Sequence, residues 1–186
     1  MAAHSRRSAQ EIKDVPGESP ELEIVVGMKQ LAHEQILRHI ERCFSGHALA
    51  HLVGSIFEAD NLHVQVSGPG PDGGVDILAS NGEYGFGRLR ICVQVKSSKH
   101  PVEVETLRAL QGSMTNYGAN QGILVAWGGF TKALVREAHQ RHFEIRLWDA
   151  HKLVEEIFRT YDRLPENVKS ELPLERVWIL GTVTAK

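Results

Sequence analysis

The chain has little cysteine, few aromatic residues, almost no net charge and no long apolar run. Its two cysteines, Cys43 and Cys92, form no C-x-x-C pair, which argues against a disulfide framework and fits a reducing cytoplasm. No run approaches the ~18 apolar residues of a membrane span. The formal net charge is -2, so any contact with a nucleic acid must come from a local basic surface.

What is present is an ordinary globular composition, with 42% hydrophobic and 24% charged residues. Residues 1–20 are rich in Ser, Glu, Pro and Gly and contain no signal-peptide core. We therefore expect a disordered tail there and a cytoplasmic location. Residues 21–45 are assigned to an N-terminal helix, 46–164 to the main domain and 165–186 to a C-terminal extension.

Apolar spacing predicts a succession of helices and strands. Helical periodicity covers residues 21–44, 47–60, 102–117, 131–141 and 150–161. Strand patterns cover residues 62–66, 75–79, 89–96, 122–126 and 143–148. Three strands followed by alternating helix and strand predict an α/β fold, with a central mixed β-sheet flanked by helices and an N-terminal helix. Residues 173–180 are expected either to add an edge strand or to pack against a neighbouring subunit.

An acid and a Gln-x-Lys pair stand on neighbouring predicted strands. Asp76 lies in GPGPDGGVDILA, and Gln94 and Lys96 lie in RICVQVKSS. Strand alternation places Gln94 and Lys96 on one face, with Cα atoms about 6.5–7 Å apart. Each residue alone is more simply explained as a turn cap or as a solvated strand edge. Together they predict magnesium-assisted phosphodiester hydrolysis, because oxygen ligands suit a hard cation and a lysine can neutralise phosphoryl charge.

Three segments carry a family resemblance: PDGGVDILAS, ICVQVKSSKHPV, and QGILVAWGGFTKALVREA followed by IRLWDAHKLVEEI. The stretch from about His47 to Ile157 resembles the Mrr-type restriction endonuclease domain of the PD-(D/E)xK nuclease superfamily. The resemblance implies a central sheet flanked by helices and Mg²⁺-dependent cleavage of double-stranded DNA. It also implies that Asp76 and Gln94 face the metal and that Lys96 is catalytic. In this branch glutamine commonly stands where the wider superfamily has an acid.

The remaining roles follow from this arrangement. We expect the Val95 carbonyl to join Asp76 and Gln94 as a metal ligand, with Asp72 of the glycine loop as a secondary candidate. Gln111, on the next helix, is a second additional candidate for the site. Lys99, His100 and Arg108 are expected to contact DNA phosphates. A solvated basic face explains those last three residues equally well.

One position departs from the family pattern. The family's first helix usually carries a glutamate that completes the metal site, and the register with the following motif puts that position on Ala50. Alanine cannot ligate a metal. His47, His51 and Glu58 fall on the opposite, solvated face of the predicted helix and are poor substitutes.

Three functions remain as hypotheses. The first is a type II-like, Mrr-like deoxyribonuclease of a restriction or defence system, working on double-stranded DNA as a homodimer or as a subunit of a larger defence complex. The second is a catalytically weak or inactive nuclease-fold module that binds DNA or a protein partner. The third is a DNA repair or junction-resolving nuclease on the same scaffold.

Overall fold

The computed structural model describes residues 20–68 and 74–179. Every helix and strand predicted above is present within two residues of its expected bounds, and a short helix at Glu166–Glu171 is an addition. The elements in chain order are α1 (Pro20–Cys43), α2 (His47–Ala59), β1 (His63–Val66), β2 (Ile77–Ser80), β3 (Arg90–Lys96), α3 (Val104–Tyr117), β4 (Gln121–Ala126), α4 (Lys132–His139), β5 (Ile145–Asp149), α5 (Ala150–Thr160) and α6 (Glu166–Glu171).

The five strands form one mixed sheet in the order β1-β2-β3-β4-β5. The pairs β1–β2 and β2–β3 are antiparallel, whereas β3–β4 and β4–β5 are parallel. The predicted fold class is therefore confirmed. Because β3 is the central strand and joins the antiparallel half to the parallel half, its residues have neighbours on both edges.

Helices cover both faces of the sheet. On one face, α2 and α5 place Leu52, Ile56 and Leu153 in the same core as Val93 of β3. On the other face, α3 and α4 contribute to a second core. Its members include Cys92 and Leu124 of the sheet and Leu107, Leu110 and Leu134 of the helices. In the middle of β3, the polar side chain of Gln94 on this second face is therefore enclosed rather than solvated.

The C-terminal segment differs from one of its two expected placements. Residues 173–179 form no strand, so the edge-strand alternative is wrong for them. Instead the Tyr161 hydroxyl donates to the Leu172 carbonyl and accepts the Leu174 N–H, both at 2.7 Å. Leu174 packs against the larger core. The alternative of contact with a neighbouring subunit stays a prediction.

Two further expectations concern the N-terminal tail and membrane spans. The predicted tail lies, apart from residue 20, outside the described residues. No helix within the described ranges is long and apolar enough to cross a membrane.

The loop that follows β3 passes closely over the loop between β4 and α4. A Cβ added at Gly128 would stand 2.4 Å from the Lys99 carbonyl carbon and 2.6 Å from the His100 oxygen. The Val102 N–H donates to the Gly129 carbonyl at 2.9 Å, and the Thr131 N–H donates to the Val102 carbonyl at 3.0 Å. These contacts fix the chain just beyond Lys96 against the start of α4.

The substitution Gly128→Ala is therefore expected to lower the free energy of unfolding by about 1–3 kcal/mol, because backbone atoms must move to admit the methyl group. Gly112 is the matched control, since a Cβ added there, on exposed α3, meets nothing within 4 Å. Gly112→Ala should raise the free energy of unfolding by roughly 0.5–1 kcal/mol. Urea denaturation measures both changes, and equal stability of the two variants would contradict the close approach at Gly128.

Candidate active site at the carboxyl end of β3

Asp76 stands directly before β2 and is held by hydrogen bonds on both its main chain and its side chain. Its N–H donates to the Val93 carbonyl at 2.9 Å, and its carbonyl accepts the Ser67 N–H at 2.8 Å. Its Oδ2 accepts the Val95 N–H at 2.7 Å. The half-buried carboxylate thus has the hydrogen bond that an acid among apolar neighbours requires.

Gln94 is enclosed on the second face of the sheet. It is 5% exposed, and its Oε1 is buried without a hydrogen-bond partner among the described residues. A Cβ added at Gly74 would lie 3.6 Å from Gln94 Nε2 and 3.9 Å from Ser113 Oγ, so Gly74 lies close to both the Gln94 amide and Ser113 of α3. A buried acceptor without a partner costs about 1–3 kcal/mol. It is also the kind of oxygen that a hard cation binds.

The main chain at the end of β3 alternates between its two neighbours. The Lys96 carbonyl accepts the Trp127 N–H at 2.8 Å, so the polar main-chain groups of Lys96 point to the β4 side. Those of Val95, one residue earlier, point to the β2 side, as its hydrogen bond to Asp76 shows. The Val95 carbonyl therefore faces the edge on which Asp76 lies.

Lys96 ends β3 and is half-buried. Strand alternation puts its side chain on the same face as that of Gln94. Within the described residues, Lys96 takes part in none of the ion pairs. The end of β3 therefore combines an acid, an amide oxygen without a partner, a carbonyl and an uncommitted ammonium group.

This donor set fits Mg²⁺. The second carboxylate oxygen of Asp76, Gln94 Oε1 and the Val95 carbonyl are all hard oxygen ligands, and Mg²⁺ usually keeps several waters and needs few protein ligands. In the described ranges no group of three or more His, Cys, Asp or Glu side chains is placed to hold a metal. The fit therefore depends on one carboxylate and on neutral oxygens.

Helix α2 begins beside this site but brings no carboxylate to it. The Gly46 N–H donates to Ser97 Oγ at 3.0 Å, which ties the start of α2 to the end of β3. Ala50 is 2% exposed and lies in the larger core with Leu49 and Leu52. His51 is exposed, as expected from the helical pattern.

Two of the three residues expected to contact DNA form ion pairs. Lys99 Nζ lies 2.7 Å from Glu41 Oε1. Arg108 donates two hydrogen bonds to Glu137, at 3.0 and 2.9 Å, and this pairing lowers the pKa of the Glu137 carboxyl. Both cations are thus already committed to carboxylates. His100 is exposed in the loop after β3.

Of the two secondary candidates, only Gln111 lies among the described residues. Gln111 is half-buried and lines the groove between α3 and α4 together with Arg108 and Glu137. Asp72 lies outside the described residues.

Two neighbours of the site were not found from the sequence. Ser113 is 3% exposed and its hydroxyl donates to the Ala109 carbonyl at 3.1 Å. The available signal was a small polar residue inside the apolar stripe of α3. The second is Ser97, the acceptor for the start of α2.

Cys92, two residues before Gln94, is packed in the core, and burial raises the pKa of its thiol to about 11, so it remains protonated at neutral pH.

Comparisons with known proteins address the fold. The family model Mrr_cat, described as restriction endonuclease, matches residues 41–157. The DNA modification-dependent restriction endonuclease AspBHI is similar with a TM-score of 0.57 and 16% identity, over 93% of this chain and 44% of that chain. The MspJI restriction endonuclease, solved in complex with a 27-mer oligonucleotide, gives a TM-score of 0.45 and 16% identity, over 93% and 40% of the two chains. No curated protein matches the sequence.

The chain matches only part of each of these two structures. The chain spans less than half the length of either one. At 16% identity the likeness to AspBHI shows a shared fold.

The hydrogen bond from Val95 to Asp76 predicts different effects for two substitutions. Asp76→Ala removes the acceptor of a partly buried N–H and should lower the free energy of unfolding by about 1–3 kcal/mol. Asp76→Asn keeps an oxygen acceptor and should stay within about 0.5–1 kcal/mol of the wild type, since it replaces a charge-assisted hydrogen bond by a neutral one. Chemical denaturation without divalent cations makes the comparison, and a destabilisation of Asn as large as that of Ala would refute the assigned hydrogen bond.

Proposed function

The chain belongs to the restriction endonuclease family that the Mrr_cat model describes, and from this premise we propose that it is a Mg²⁺-dependent endonuclease. Its substrate is double-stranded DNA, whose phosphodiester bonds it hydrolyses as a type II-like enzyme of a restriction or defence system. The observation that carries the proposal is the buried Gln94 Oε1, which has no partner within the described ranges. Gln94 directly precedes Val95, whose N–H is hydrogen-bonded to Asp76.

The proposed site residues have two roles: three of them bind the cation, and Lys96 orients the water and stabilises negative charge. Asp76, Gln94 and Val95 would hold Mg²⁺, which when bound would supply Lewis acidity to a water and to a phosphate oxygen. Lys96 donates a hydrogen bond to the attacking water and orients it for in-line displacement. As negative charge grows on the phosphoryl oxygens, the same ammonium group stabilises it.

Restraint of the acid is part of this proposal. The Val95 N–H holds one oxygen of Asp76, so the other oxygen keeps a fixed direction before any ligand binds. Gln94 is restrained by burial rather than by a hydrogen bond to its Oε1. Both ligands are thus preorganised, which lowers the cost of assembling the site.

Cleavage of both DNA strands sets a requirement on assembly. One chain contributes one Asp76–Gln94–Lys96 site, and two strands of opposite polarity need two such sites. We therefore propose that the chain works as a homodimer or as a subunit of a larger defence complex.

A second function is favoured by one specific observation. Ala50 occupies the position of the family's helix glutamate and is buried in the apolar core. Among the described residues the site then has a single carboxylate, which favours a catalytically weak or inactive nuclease-fold module that binds DNA or a protein partner.

Plasmid cleavage decides between these functions. Supercoiled plasmid incubated with Mg²⁺ should be nicked or linearised by the wild type. Asp76→Asn and Lys96→Ala should each cut at least about 100-fold more slowly, since each removes charge stabilisation that the transition state uses. EDTA should stop the wild-type reaction. Lys29→Ala, which changes an exposed lysine on α1, is the matched control and should cut as the wild type does.

The outcomes separate cleanly. If the wild type and all three variants leave the plasmid intact over the same range of enzyme concentration, the inactive module is the better description. If Lys96→Ala cuts at the wild-type rate, the role given to Lys96 is wrong even though the chain is a nuclease.

A further inference from the structure

We propose that DNA phosphates are contacted along one face of α4, formed by Lys132, Arg136 and His139 and called here the α4 basic row. This inference rests on the proposed function, because it assigns the surface on which the DNA substrate lies. It replaces Lys99 and Arg108 as the main phosphate contacts.

The first step is the availability of positive charge. Lys99 and Arg108 are each paired with a carboxylate, at 2.7 and 2.9 Å, so a phosphate must displace an existing partner before it gains either cation. Lys132 and Arg136 take part in no ion pair within residues 20–68 and 74–179. DNA binding draws its free energy from cations that replace condensed counterions, and these two are free to do so.

The second step is the geometry of the row. Lys132, Arg136 and His139 are exposed and stand at i, i+4 and i+7, which is one face of a helix. Leu134 and Ala138 are buried on the opposite face. The row is about 10 Å long at 1.5 Å per residue. A row of this length can reach more than one phosphate of a DNA strand.

The third step is the position of the row relative to the candidate active site. Lys96 pairs with Ala126 across β3 and β4, and its carbonyl accepts the Trp127 N–H. The loop after Ala126 leads directly into α4, which begins at Lys132. The row therefore starts at the same end of the sheet as Lys96 and runs away from it. A DNA strand placed at Lys96 can continue over α4.

The fourth step is the local balance of charge. The chain as a whole has a net charge of -2, so a binding surface for DNA must be locally positive. Glu137 is the single acid of α4, and its carboxylate is occupied by the two hydrogen bonds from Arg108. The groove beside the row is lined by Phe130, Val135 and Gln140 in addition to the three basic residues. None of these six side chains is an acid.

Binding without cleavage tests the row. Fluorescence anisotropy of a labelled random-sequence duplex, in EDTA and over a series of KCl concentrations, compares the wild type with Lys132→Ala/Arg136→Ala. The matched control is Lys29→Ala/Arg88→Ala, which removes two exposed cations that also lie outside the ion pairs of the described residues. Circular dichroism confirms that both double variants are folded.

The row variant should bind DNA at least about tenfold more weakly at low salt. The slope of log K against log salt should become shallower by roughly 1.8, because about 0.9 is lost for each phosphate contact. The control should keep the wild-type slope. An unchanged slope in the row variant, an equal loss in the control, or no binding by the wild type would each overturn the inference. If the wild type binds through the row but does not cut plasmid, the nuclease proposal fails and the row stands.

Discussion

The hydrogen bond from the Val95 N–H to the Asp76 carboxylate is the contact on which the candidate site depends. The backbone ladder between β2 and β3 pairs Ile77 with Val93, and the main chain of Asp76 adds one more bond to Val93. Beyond that point the side chain of Asp76 takes the place of a strand carbonyl. Asp76 thus makes the last hydrogen bond between the β2 side and β3, and it is also a candidate metal ligand. Its removal leaves the Val95 N–H without its acceptor on the β2 side, while β4 still pairs with the segment that carries Gln94 and Lys96.

Because helices cover both faces of β3, a polar side chain in the middle of this strand is buried. A strand covered by helices on both sides normally carries apolar residues throughout, and Cys92 and Val93 follow this rule. Gln94 breaks it, and its Oε1 has no partner within the described residues. In a low-dielectric interior such an atom is costly, whereas a cation or a donor that reaches it gains a strong interaction for the same reason. A local violation of the packing rules that coincides with a fixed acid is a mark of a functional site.

The sequence predicted the local features well and the long-range pairs poorly. Strand alternation placed Gln94 and Lys96 on one face, because a period of two depends only on the strand itself. The partners of Lys99 and Arg108 could not be found in the same way, since Glu41 and Glu137 belong to other helices. Their approach depends on how α1 and α4 pack. The tail after α6 shows the same limit: its apolar residues suit an edge strand, but the hydroxyl of Tyr161 holds it by two hydrogen bonds.

The single carboxylate changes how a cation and DNA would bind. Each carboxylate near a divalent cation adds attraction, and Ala50 supplies none because its side chain is a methyl group, which lies in the apolar core. With Asp76 as the one anionic side chain among the proposed ligands, the protein alone holds Mg²⁺ weakly. A DNA phosphate brings the missing negative charge and an oxygen ligand, so the cation and the substrate should bind with positive coupling. Lys96, which forms no ion pair within the described residues, would also attract the phosphate. A site with less negative charge also repels DNA less. Under the proposed function, a site without the helix glutamate would therefore bind the metal more tightly in the complex with DNA than in the free protein.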